Sequence, residues 1–269
     1  MKNKKESKKP IEKLLKTVAK LRSPNGCPWD KEQNHKTLKR YLIEEAYETI
    51  DAIDKNDKHS LIEELGDVLL QIVLHAQIAK ENKDFSFDDI CNSINKKMIS
   101  RHPHVFSDTK VKNTEEVLKN WDILKSKEKP ERKELLDGIP GSLPALLKAY
   151  KVSKKVAKIG FDWQSDAQIW SQFFSEIKEF KQVSKSKNKD KQAEELGDLL
   201  FCIVNLARWY KLEPEETLNN GIKKFINRFN KVEKKVNNLG KKINNLTAKE
   251  LDNLWKQVKK EEVKRKSMI

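Results

Sequence analysis

The chain has 269 residues, of which 36% are charged and 37% are apolar. Lysine and arginine number 56 against 41 aspartate and glutamate residues, which gives a formal net charge of +15. This balance suits polyanionic ligands such as nucleotides, nucleic acid or an anionic membrane surface, although a drift in composition on solvated helix faces would produce it as well. Only 8 glycines and 8 prolines occur, so the chain favours helices over a turn-rich β architecture.

The chain contains three cysteines that form no CxxC pair, namely Cys27, Cys91 and Cys202. Their number and spacing argue against a disulfide framework or a zinc knuckle and fit a reducing compartment. The basic segment 1–9 is followed by no apolar core, so it lacks the pattern of a signal peptide. The most apolar stretch, 199–207, is interrupted by Asn205 and is far shorter than the ~20 residues of a transmembrane helix. We therefore expect a cytoplasmic protein without a membrane span.

Charged as well as apolar residues recur along the chain at a constant offset. Glu45-Ala-Tyr-Glu48 matches Glu176-Ile-Lys-Glu179, and Glu64-Leu-Gly-Asp67 matches Glu195-Leu-Gly-Asp198. Further matches follow after small changes of length, namely Lys96–Arg101 with Lys223–Arg228, Trp121 with Trp255 and Lys125 with Lys259. Core periodicity alone would repeat apolar residues and not the acids, so the agreement indicates a duplicated domain.

We predict three segments, which are an N-terminal helical domain over 10–128, a linker over 129–144 and a C-terminal helical domain over 145–262. The linker combines a run of charged residues with glycine and proline, as is typical of a domain boundary. The tails 1–9 and 263–269 are predicted to be disordered.

Each copy is predicted to contain four helices, and the second copy a shorter final one as well, at ~144–158, ~166–184, ~191–210, ~215–238 and ~247–264. The second of these helices has one apolar stripe, formed by Trp170, Phe173, Ile177 and Phe180. The third, over Glu195–Arg208, is apolar on nearly all sides, so we expect it to be the buried helix. The pattern predicts an all-α fold of two tandem domains that resemble four-helix bundles.

Two pairs of carboxylates at helical spacing are candidates for a metal site. Glu176 and Glu179 are three residues apart and lie on one helix face, and Glu195 and Asp198 have the same spacing. Either pair alone would usually be a solvated face. If the two helices form an antiparallel hairpin, the carboxylates converge, repel one another and raise their own pKa values. Mg²⁺, a hard cation that prefers oxygen ligands, would resolve this repulsion, whereas the absence of histidine disfavours a di-iron site.

Glu-x-x-Glu followed by Glu-x-x-Asp in an all-α bundle resembles the MazG-type nucleoside triphosphate pyrophosphohydrolases. Other segments are similar to the two-domain members, namely Gly26-Cys-Pro-Trp-Asp30, Arg101-His-Pro-His-Val-Phe106, Ser142-Leu-Pro-Ala-Leu146, Gly160-Phe-Asp-Trp163 and Glu194-Glu-Leu-Gly-Asp-Leu-Leu-Phe201. The resemblance covers nearly the whole chain, from Ile11 to Glu262. It implies hydrolysis of a nucleoside triphosphate to the monophosphate and pyrophosphate with Mg²⁺, in nucleotide-pool housekeeping or an alarmone-linked role, by a homodimer.

The resemblance also implies roles for individual residues. Metal ligands and catalytic residues would be Glu176, Glu179, Glu195 and Asp198, with Glu45, Glu48, Glu64 and Asp67 as secondary metal ligands in the first copy. Substrate contacts would be Lys191, Glu194, Lys224, Arg228, Trp255 and Lys259. Lys224 and Arg228 suit the phosphates, and Trp255 would lie against the base or ribose, unless it is a core or subunit-contact aromatic.

Two positions of the second copy depart from the family pattern. The family motif opens with two adjacent glutamates, as in Glu44-Glu45, but Ser175 precedes Glu176. Gln172 stands where the family often has lysine. All four implied ligands remain, so we expect metal binding to persist, while the turnover rate depends on whether an orienting group is missing.

The charge of the segment between the carboxylate pairs differs between the copies. Phe180–Ala193 carries a net charge of +4, against −1 for Thr49–Ile62. A positive segment beside an acidic metal site would attract phosphates, so we predict that the second copy carries most of the activity. A lysine-rich loop without a role is the alternative.

A different class of function is a helical nucleic-acid-binding or scaffold protein with decayed metal sites. No phosphate-loop or dinucleotide fingerprint and no platform of interleaved aromatic and basic residues occurs, so we expect no specific nucleic-acid partner. A closer alternative is an all-α pyrophosphohydrolase for dUTP or a phosphoribosyl nucleotide, but the duplication favours the MazG type. We interpret His102 and His104 as a helix-end structural element, with a part in the first copy's site as the alternative.

Overall fold

The computed structural model describes residues 9–128 and 134–266, and within these ranges the chain forms helices and turns without a strand. The predicted all-α class is therefore confirmed. The chain divides into two compact units, 1–129 and 130–269, which hold the first and the second copy. Residues 129–133 of the predicted linker and most of the predicted disordered tails lie outside the described residues. None of the described helices combines the length and apolar character needed to cross a membrane.

The described residues of the first unit contain seven helices, namely α1 (Pro10–Leu21), α2 (Pro28–Glu32), α3 (Lys39–Asp54), α4 (Lys58–Glu81), α5 (Phe87–Arg101), α6 (Pro103–Phe106) and α7 (Thr114–Lys127). Helices α3 and α4 form a hairpin, α1 packs on α4, and α5 packs against α4 and α7. The core of this unit is apolar and buried, and it consists of Val18, Leu38, Val73, Leu74 and Ile78.

The described residues of the second unit contain α8 (Ala145–Ala157), α9 (Asp166–Val183), α10 (Lys189–Trp209), α11 (Pro214–Asn238), a 3-10 turn (Ile243–Asn245) and α12 (Ala248–Lys266). The five predicted helices lie within a few residues of these bounds, and α12 extends into the tail that was predicted to be disordered. Helix α10 packs against α9 and α8, and α11 packs against α12 and α8. Val232, Val236 and Val258 form a buried cluster where α11 meets α12.

Capping residues at equivalent positions fix the start of the second hairpin helix in both units. The Asp57 side chain accepts hydrogen bonds from the backbone N–H groups of the first turn of α4. Asn188, 131 positions later, accepts one from the N–H of Lys191 at the start of α10. Because a cap satisfies N–H groups that the helix itself leaves unpaired, the hairpin turns at the same place in each copy.

The lysine-rich segment between α9 and α10 is mostly helical. Lys181 lies in α9, and Lys189 and Lys191 lie in the first turn of α10, so the connection is only Ser184–Asn188. The Gln192 amide ties this connection down, since its Nε2 donates to the carbonyls of Val183, Ser184 and Ser186 at 3.2, 3.0 and 2.8 Å. The lysines therefore project from helix ends and a short ordered turn.

The prediction that the third helix of the second copy is buried is wrong for a single chain. Helix α10 buries Cys202, Val204 and Asn205 but leaves large apolar side chains exposed, namely Leu196, Leu200, Phe201 and Ile203. One stripe of the helix packs against α8 and α9, and the rest faces away from them. A helix that is apolar on all sides is expected to be buried, but the surface that buries it can belong to the same chain or to another. The single chain covers only part of α10.

In each unit an arginine–carboxylate ion pair, which we call the clamp, joins the long helix to the end of the first helix or to the segment after it. The polarity of the clamp is reversed, because the long helix supplies the carboxylate in the first unit and the arginine in the second. In the first unit Arg22, at the end of α1, donates to Glu81 of α4 at 2.8 Å. In the second unit Arg208 of α10 donates through Nη1 to Asp162, in the segment after α8, at 2.8 Å, and its Nε donates to the buried Ser153 hydroxyl at 2.6 Å. Bidentate pairs of this kind fix orientation as well as distance.

Two turns require glycine, the first because of a close contact and the second because of its backbone conformation. A Cβ atom on Gly26 would lie 2.0 Å from the Leu21 carbonyl oxygen, the same oxygen that accepts the Cys27 N–H. Gly160 opens the segment that carries Asp162 and has φ +87°, a conformation that favours glycine. Gly26 therefore shapes the turn that follows α1, and Gly160 shapes the turn that follows α8.

We predict that Asp162→Asn lowers the free energy of unfolding at pH 7 by about 1–3 kcal/mol, because Arg208 loses its anion. Hydrogen bonds from Arg208 hold the pKa of Asp162 below its ordinary value of 3.8. The ionised carboxylate therefore stabilises the fold above that value, and the stabilisation is lost as the pH falls through the lowered pKa.

Urea unfolding of the wild type and Asp162→Asn at pH 7 and at about pH 3 measures this effect. The difference between the two midpoints should shrink at the lower pH. Asp252→Asn, which removes an exposed pair with Lys256, serves as the control and should cost less at pH 7. An equal cost for both variants would contradict the clamp.

Candidate functional site

In the second unit, three of the four predicted ligands converge at the helix hairpin. Glu176 and Glu179 on α9 and Glu195 on α10 each place a carboxylate oxygen within 4.8 Å of the others. Glu176 and Glu195 are half-buried and Glu179 is exposed. The spacing of three residues puts the two α9 carboxylates on one face, and the hairpin brings Glu195 opposite them. We call these three residues the second-unit cluster.

The first unit repeats this arrangement on α3 and α4. Glu45, Glu48 and Glu64 have carboxylate oxygens within 4.8 Å of one another and form the first-unit cluster. The fourth predicted ligand is not part of either group: Asp67 is half-buried, and Asp198 is exposed. Each of them lies three residues after the glutamate of the same motif, outside the group of converging carboxylate oxygens, although the charge of Asp67 still acts on Glu45.

The carboxylates of the first-unit cluster repel one another. Burial, followed by the negative charge of Asp67, raises the pKa of Glu45. Burial, followed by the charge of Glu48, raises the pKa of Glu64. The predicted effect of convergence on pKa is thus found at these two residues, and a bound cation would remove the repulsion.

The donor set of both clusters suits a hard divalent cation. All three side chains of each cluster offer carboxylate oxygens and none offers nitrogen or sulfur. Because Glu48 and Glu179 are exposed, one side of each cluster is open to water and to an incoming phosphate. The residues therefore fit a cation that is shared between the protein and a substrate.

A buried residue close to the cluster differs between the units. In the second unit Cys202 is buried, and burial, followed by the charge of Glu176, raises the pKa of its thiol to about 11. A neutral, buried thiol is a poor nucleophile. The equivalent position of the first unit is Gln71, which is 5% exposed and whose Oε1 has no hydrogen-bond partner among the described residues.

The two residues that depart from the family pattern both contact carboxylates of the second-unit cluster. Gln172 Nε2 donates to Glu176 Oε1 at 2.7 Å, and Ser175 Oγ donates to Glu179 Oε1 at 2.8 Å. Each donor lies four residues before its acceptor, so each bond connects successive turns of α9. An orienting group is therefore present at both positions, although of another chemical type.

The predicted phosphate contact Arg228 takes part in a clamp between α11 and α12. Its Nη2 donates to Glu262 at 2.8 Å, and Lys231 donates to the same carboxylate at 2.8 Å. The guanidinium lies 5.1 Å from the centre of the Trp255 ring. Trp255 also contacts Phe225, with ring centres 5.0 Å apart. The structure thus brings Arg228 and Trp255 together and adds Glu262, which sequence reasoning missed.

The repeat contained a signal that could have revealed Glu262. In the first unit Arg101, which is 7% exposed, pairs with Glu128 and lies 5.3 Å from the Trp121 ring centre. Trp121 and Glu128 are seven residues apart, as are Trp255 and Glu262. An arginine, a tryptophan and a glutamate therefore recur as a set, and matching all three would have indicated an ion pair.

The structure supports a structural role for the Arg101–Phe106 motif. His102 packs its edge against Trp121, with ring centres 5.0 Å apart. Its Nδ1 lies 2.7 Å from the carbonyl oxygen of Met98 in the last turn of α5. These contacts fasten the end of α5 to α7.

The remaining predicted substrate contacts are exposed side chains on three helices, namely Lys191 and Glu194 on α10, Lys224 on α11 and Lys259 on α12. Lys191 and Glu194 lie on the same helix as Glu195. Lys224 is one turn before Arg228, and Lys259 is one turn after Trp255. The hydrogen bonds and ion pairs described for the second unit connect none of these four side chains to the cluster, and their roles stay predictions.

Comparison with known proteins supports the family suggested by the motifs. A family model described as the MazG nucleotide pyrophosphohydrolase domain matches residues 33–106 and 164–233. The two matches contain both clusters, Lys191, Glu194, Lys224 and Arg228, but they end before Trp255. The predicted tandem duplication is therefore confirmed.

Three relatives match more than nine tenths of this chain. The chain is 42% identical over 258 residues to a nucleoside triphosphate pyrophosphohydrolase of Escherichia coli (strain K12), covering 94% of this chain and 98% of that protein. It is 41% identical over 250 residues to a nucleoside triphosphate pyrophosphohydrolase/pyrophosphatase MazG of Thermotoga maritima, covering 93% and 95%. It is 47% identical over 247 residues to the uncharacterized protein YabN of Bacillus subtilis (strain 168), covering 91% of this chain and 50% of that protein.

We predict that Glu64→Gln makes the protein more resistant to urea at pH 7 when divalent cations are removed with EDTA. Because the pKa of Glu64 is raised above 4.5, its ionised form destabilises the fold above the raised pKa. This penalty disappears as the pH falls through the raised value and below 4.5. The midpoint of the variant should exceed that of the wild type at pH 7, and the difference should close near pH 4.

Glu32→Gln, at an exposed glutamate of α2, is the matched control and should leave the midpoint unchanged. A stabilisation by Glu64→Gln that is equally large at both pH values would contradict the explanation by carboxylate repulsion.

Proposed function

The chain belongs to the MazG nucleotide pyrophosphohydrolase family, and we propose that it hydrolyses nucleoside triphosphates to the monophosphate and pyrophosphate with Mg²⁺ as its cation. The observation that carries this proposal is the convergence of three carboxylates in a helix hairpin of each unit. Relatives that match nearly the whole chain are named for the same activity. A decayed scaffold protein would have no reason to keep two such clusters.

The roles of the second-unit carboxylates follow from their positions. Glu176, Glu179 and Glu195 would hold the cation, with Asp198 at the margin as the fourth acidic group. Bound Mg²⁺ supplies charge neutralisation at the phosphate oxygens and a more acidic water. Glu176 or Glu179 would accept the proton of the attacking water, and Glu179 is the more exposed of the two.

Arg228 and Trp255 would form the nucleotide-binding surface of α11 and α12. The tryptophan ring offers a face to the base or ribose, and the guanidinium offers a charge to the phosphates. Arg228 is paired with Glu262 in the structure. Because Lys231 also pairs with Glu262, that carboxylate stays compensated when Arg228 turns towards a phosphate.

The charge distribution supports the second unit as the more active one. Residues 130–269 contain 30 lysines and arginines against 19 acidic residues, a net charge of +11. Residues 1–129 contain 26 against 22, a net charge of +4. Lys189 and Lys191, at the start of the helix that carries Glu195, add positive charge near the cluster. A triphosphate substrate would be attracted more strongly to this unit.

We predict that the purified protein converts nucleoside triphosphates to monophosphate and pyrophosphate only when Mg²⁺ is present. Asp198→Ala should lower kcat/KM at least tenfold, because removing a carboxylate at the metal site weakens cation binding. Asp67→Ala, the matched change in the first unit, should have a much smaller effect. Product analysis by anion exchange with each ribo- and deoxyribonucleotide measures both.

An Asp198→Ala protein that is as active as the wild type would contradict the assignment to the second unit. If no nucleotide is turned over, the scaffold alternative should be examined through salt-dependent nucleic-acid binding. Our proposal expects only weak binding of this kind, without sequence preference, that disappears at moderate salt.

We further propose that the chain forms a homodimer through the apolar surface of the α9–α10 hairpin. Phe174 on α9 is 61% exposed and Leu200 on α10 is 48% exposed in the single chain. Leu196, Phe201 and Ile203 extend this surface along α10. Contiguous exposed apolar side chains usually mark an interface, and a second copy presents the same surface about a twofold axis.

The dimer proposal predicts that Leu200→Glu shifts the protein to the monomer, because a charge would be buried at the interface. Light scattering coupled to size exclusion gives the mass of each variant. Leu239→Glu, at an exposed leucine after α11, is the control and should leave the mass unchanged. A Leu200→Glu protein that keeps the dimer mass would rule out this surface.

The three free cysteines fit our proposal that the protein works in the reducing cytosol.

A further inference from the structure

We propose that Gln172 and Ser175 are positioning residues of the second-unit cluster, which hold the Glu176 and Glu179 carboxylates in the orientation that meets Glu195. This inference rests on the proposed function, since it concerns the same metal site. It gives a role to the two positions at which the second copy departs from the family pattern.

The contacts of the two residues are matched. Gln172 donates from Nε2 to Glu176 at 2.7 Å, and Ser175 donates from Oγ to Glu179 at 2.8 Å. Both bonds end on Oε1 of the acceptor, so Oε2 of each carboxylate takes no part in them. A glutamate side chain has several freely rotating bonds, and a fixed donor at one oxygen limits the positions that the other oxygen can adopt. The two α9 ligands are thereby preset before a cation arrives.

Among the described residues of the first unit, neither equivalent position makes such a hydrogen bond to the cluster. Glu44 corresponds to Ser175, and an ionised carboxylate only accepts hydrogen bonds. Tyr41 corresponds to Gln172, and its hydroxyl oxygen accepts a hydrogen bond from the neighbouring Arg40 guanidinium, while no hydrogen bond from Tyr41 to Glu45 is described. The charge of Glu44 adds to the repulsion at Glu45. The first-unit cluster thus has a further negative charge, whereas the second-unit cluster has two neutral donors.

The presence of neutral Ser175 in place of an acidic residue affects how an anionic substrate approaches the second-unit cluster. One acidic neighbour fewer reduces the repulsion between the cluster and a triphosphate. It also reduces the electrostatic attraction of the cluster for a cation. Preset ligands lose less conformational freedom when the cation binds, so the two hydrogen bonds offset that reduction.

The test measures Mg²⁺ binding to the full-length chain by titration calorimetry, with the first-unit cluster disabled by Glu45→Gln and Glu64→Gln. In this background, Gln172→Met and Ser175→Ala remove one donor each while keeping a helix-forming residue. We expect each change to weaken Mg²⁺ binding about three- to tenfold, and the two together about 10- to 100-fold. Ser175→Thr keeps the hydroxyl and should restore binding to within about twofold of the background.

Two control variants lie on the same helix outside the cluster. Gln182→Met and Ser171→Ala change exposed residues of α9 and should leave Mg²⁺ affinity unchanged. Thermal unfolding in EDTA should give the same midpoint for all variants, because the positioning role concerns the cation and not the helix. In turnover assays, Gln172→Met and Ser175→Ala should raise the Mg²⁺ concentration needed for half-maximal rate.

The outcomes separate this inference from the proposed function. If the background protein binds Mg²⁺ but Gln172→Met and Ser175→Ala bind it equally well, the positioning role is wrong and the proposed function stands. If the variants lose affinity in proportion to a loss of stability in EDTA, the residues only stabilise α9, and the positioning role is again wrong. If the wild-type chain neither binds Mg²⁺ nor turns over a nucleotide, the proposed function fails and this inference fails with it.

Discussion

The convergence of three carboxylates at a helix hairpin is the constraint that each unit of this protein must accommodate. Three glutamate side chains converge on one another in each hairpin, and the shifts at Glu45 and Glu64 show that ionisation there is unfavourable. The fold keeps the hairpin together by other means. Caps at Asp57 and Asn188 fix the turn, and apolar residues such as Val73 and Val204 bury the opposite side of the long helix. The fold thus bears the cost of a site that a cation would relieve.

Features that depend on local spacing could be predicted from the sequence. Residues three apart share a helix face, so the pairing of Glu176 with Glu179 needed only the helix itself. The position of Glu195 opposite this pair could be predicted from the short connection between the two helices. Features that depend on tertiary distance could not be predicted in this way. Whether Asp198 joins the cluster depends on the angle between α9 and α10, which no spacing encodes.

Glu262 was missed and the exposure of α10 was predicted wrongly for different reasons. An arginine in a nucleotide-binding family suggests a phosphate contact, but Glu262 lies on another helix and its distance to Arg228 is set by the packing of α11 on α12. The apolar character of Leu200 and Phe201 predicts burial, but the sequence does not say whether the same chain provides the covering surface. In both cases the residue type was informative and the identity of its neighbour was not.

The reversed polarity of the two arginine–carboxylate clamps bears on how a duplicated chain finds its own partners during folding. Similar helices with similar apolar faces can pair with the wrong copy, because burial alone does not distinguish them. The first unit presents Arg22 to Glu81, whereas the second presents Asp162 to Arg208. If the long helices were exchanged, Arg22 would face Arg208 and Asp162 would face Glu81. Because these charges have the same sign, each long helix favours the first part of its own unit. Clamps of opposite polarity at different positions of the repeat thus give two copies of one fold separate identities within a single polypeptide.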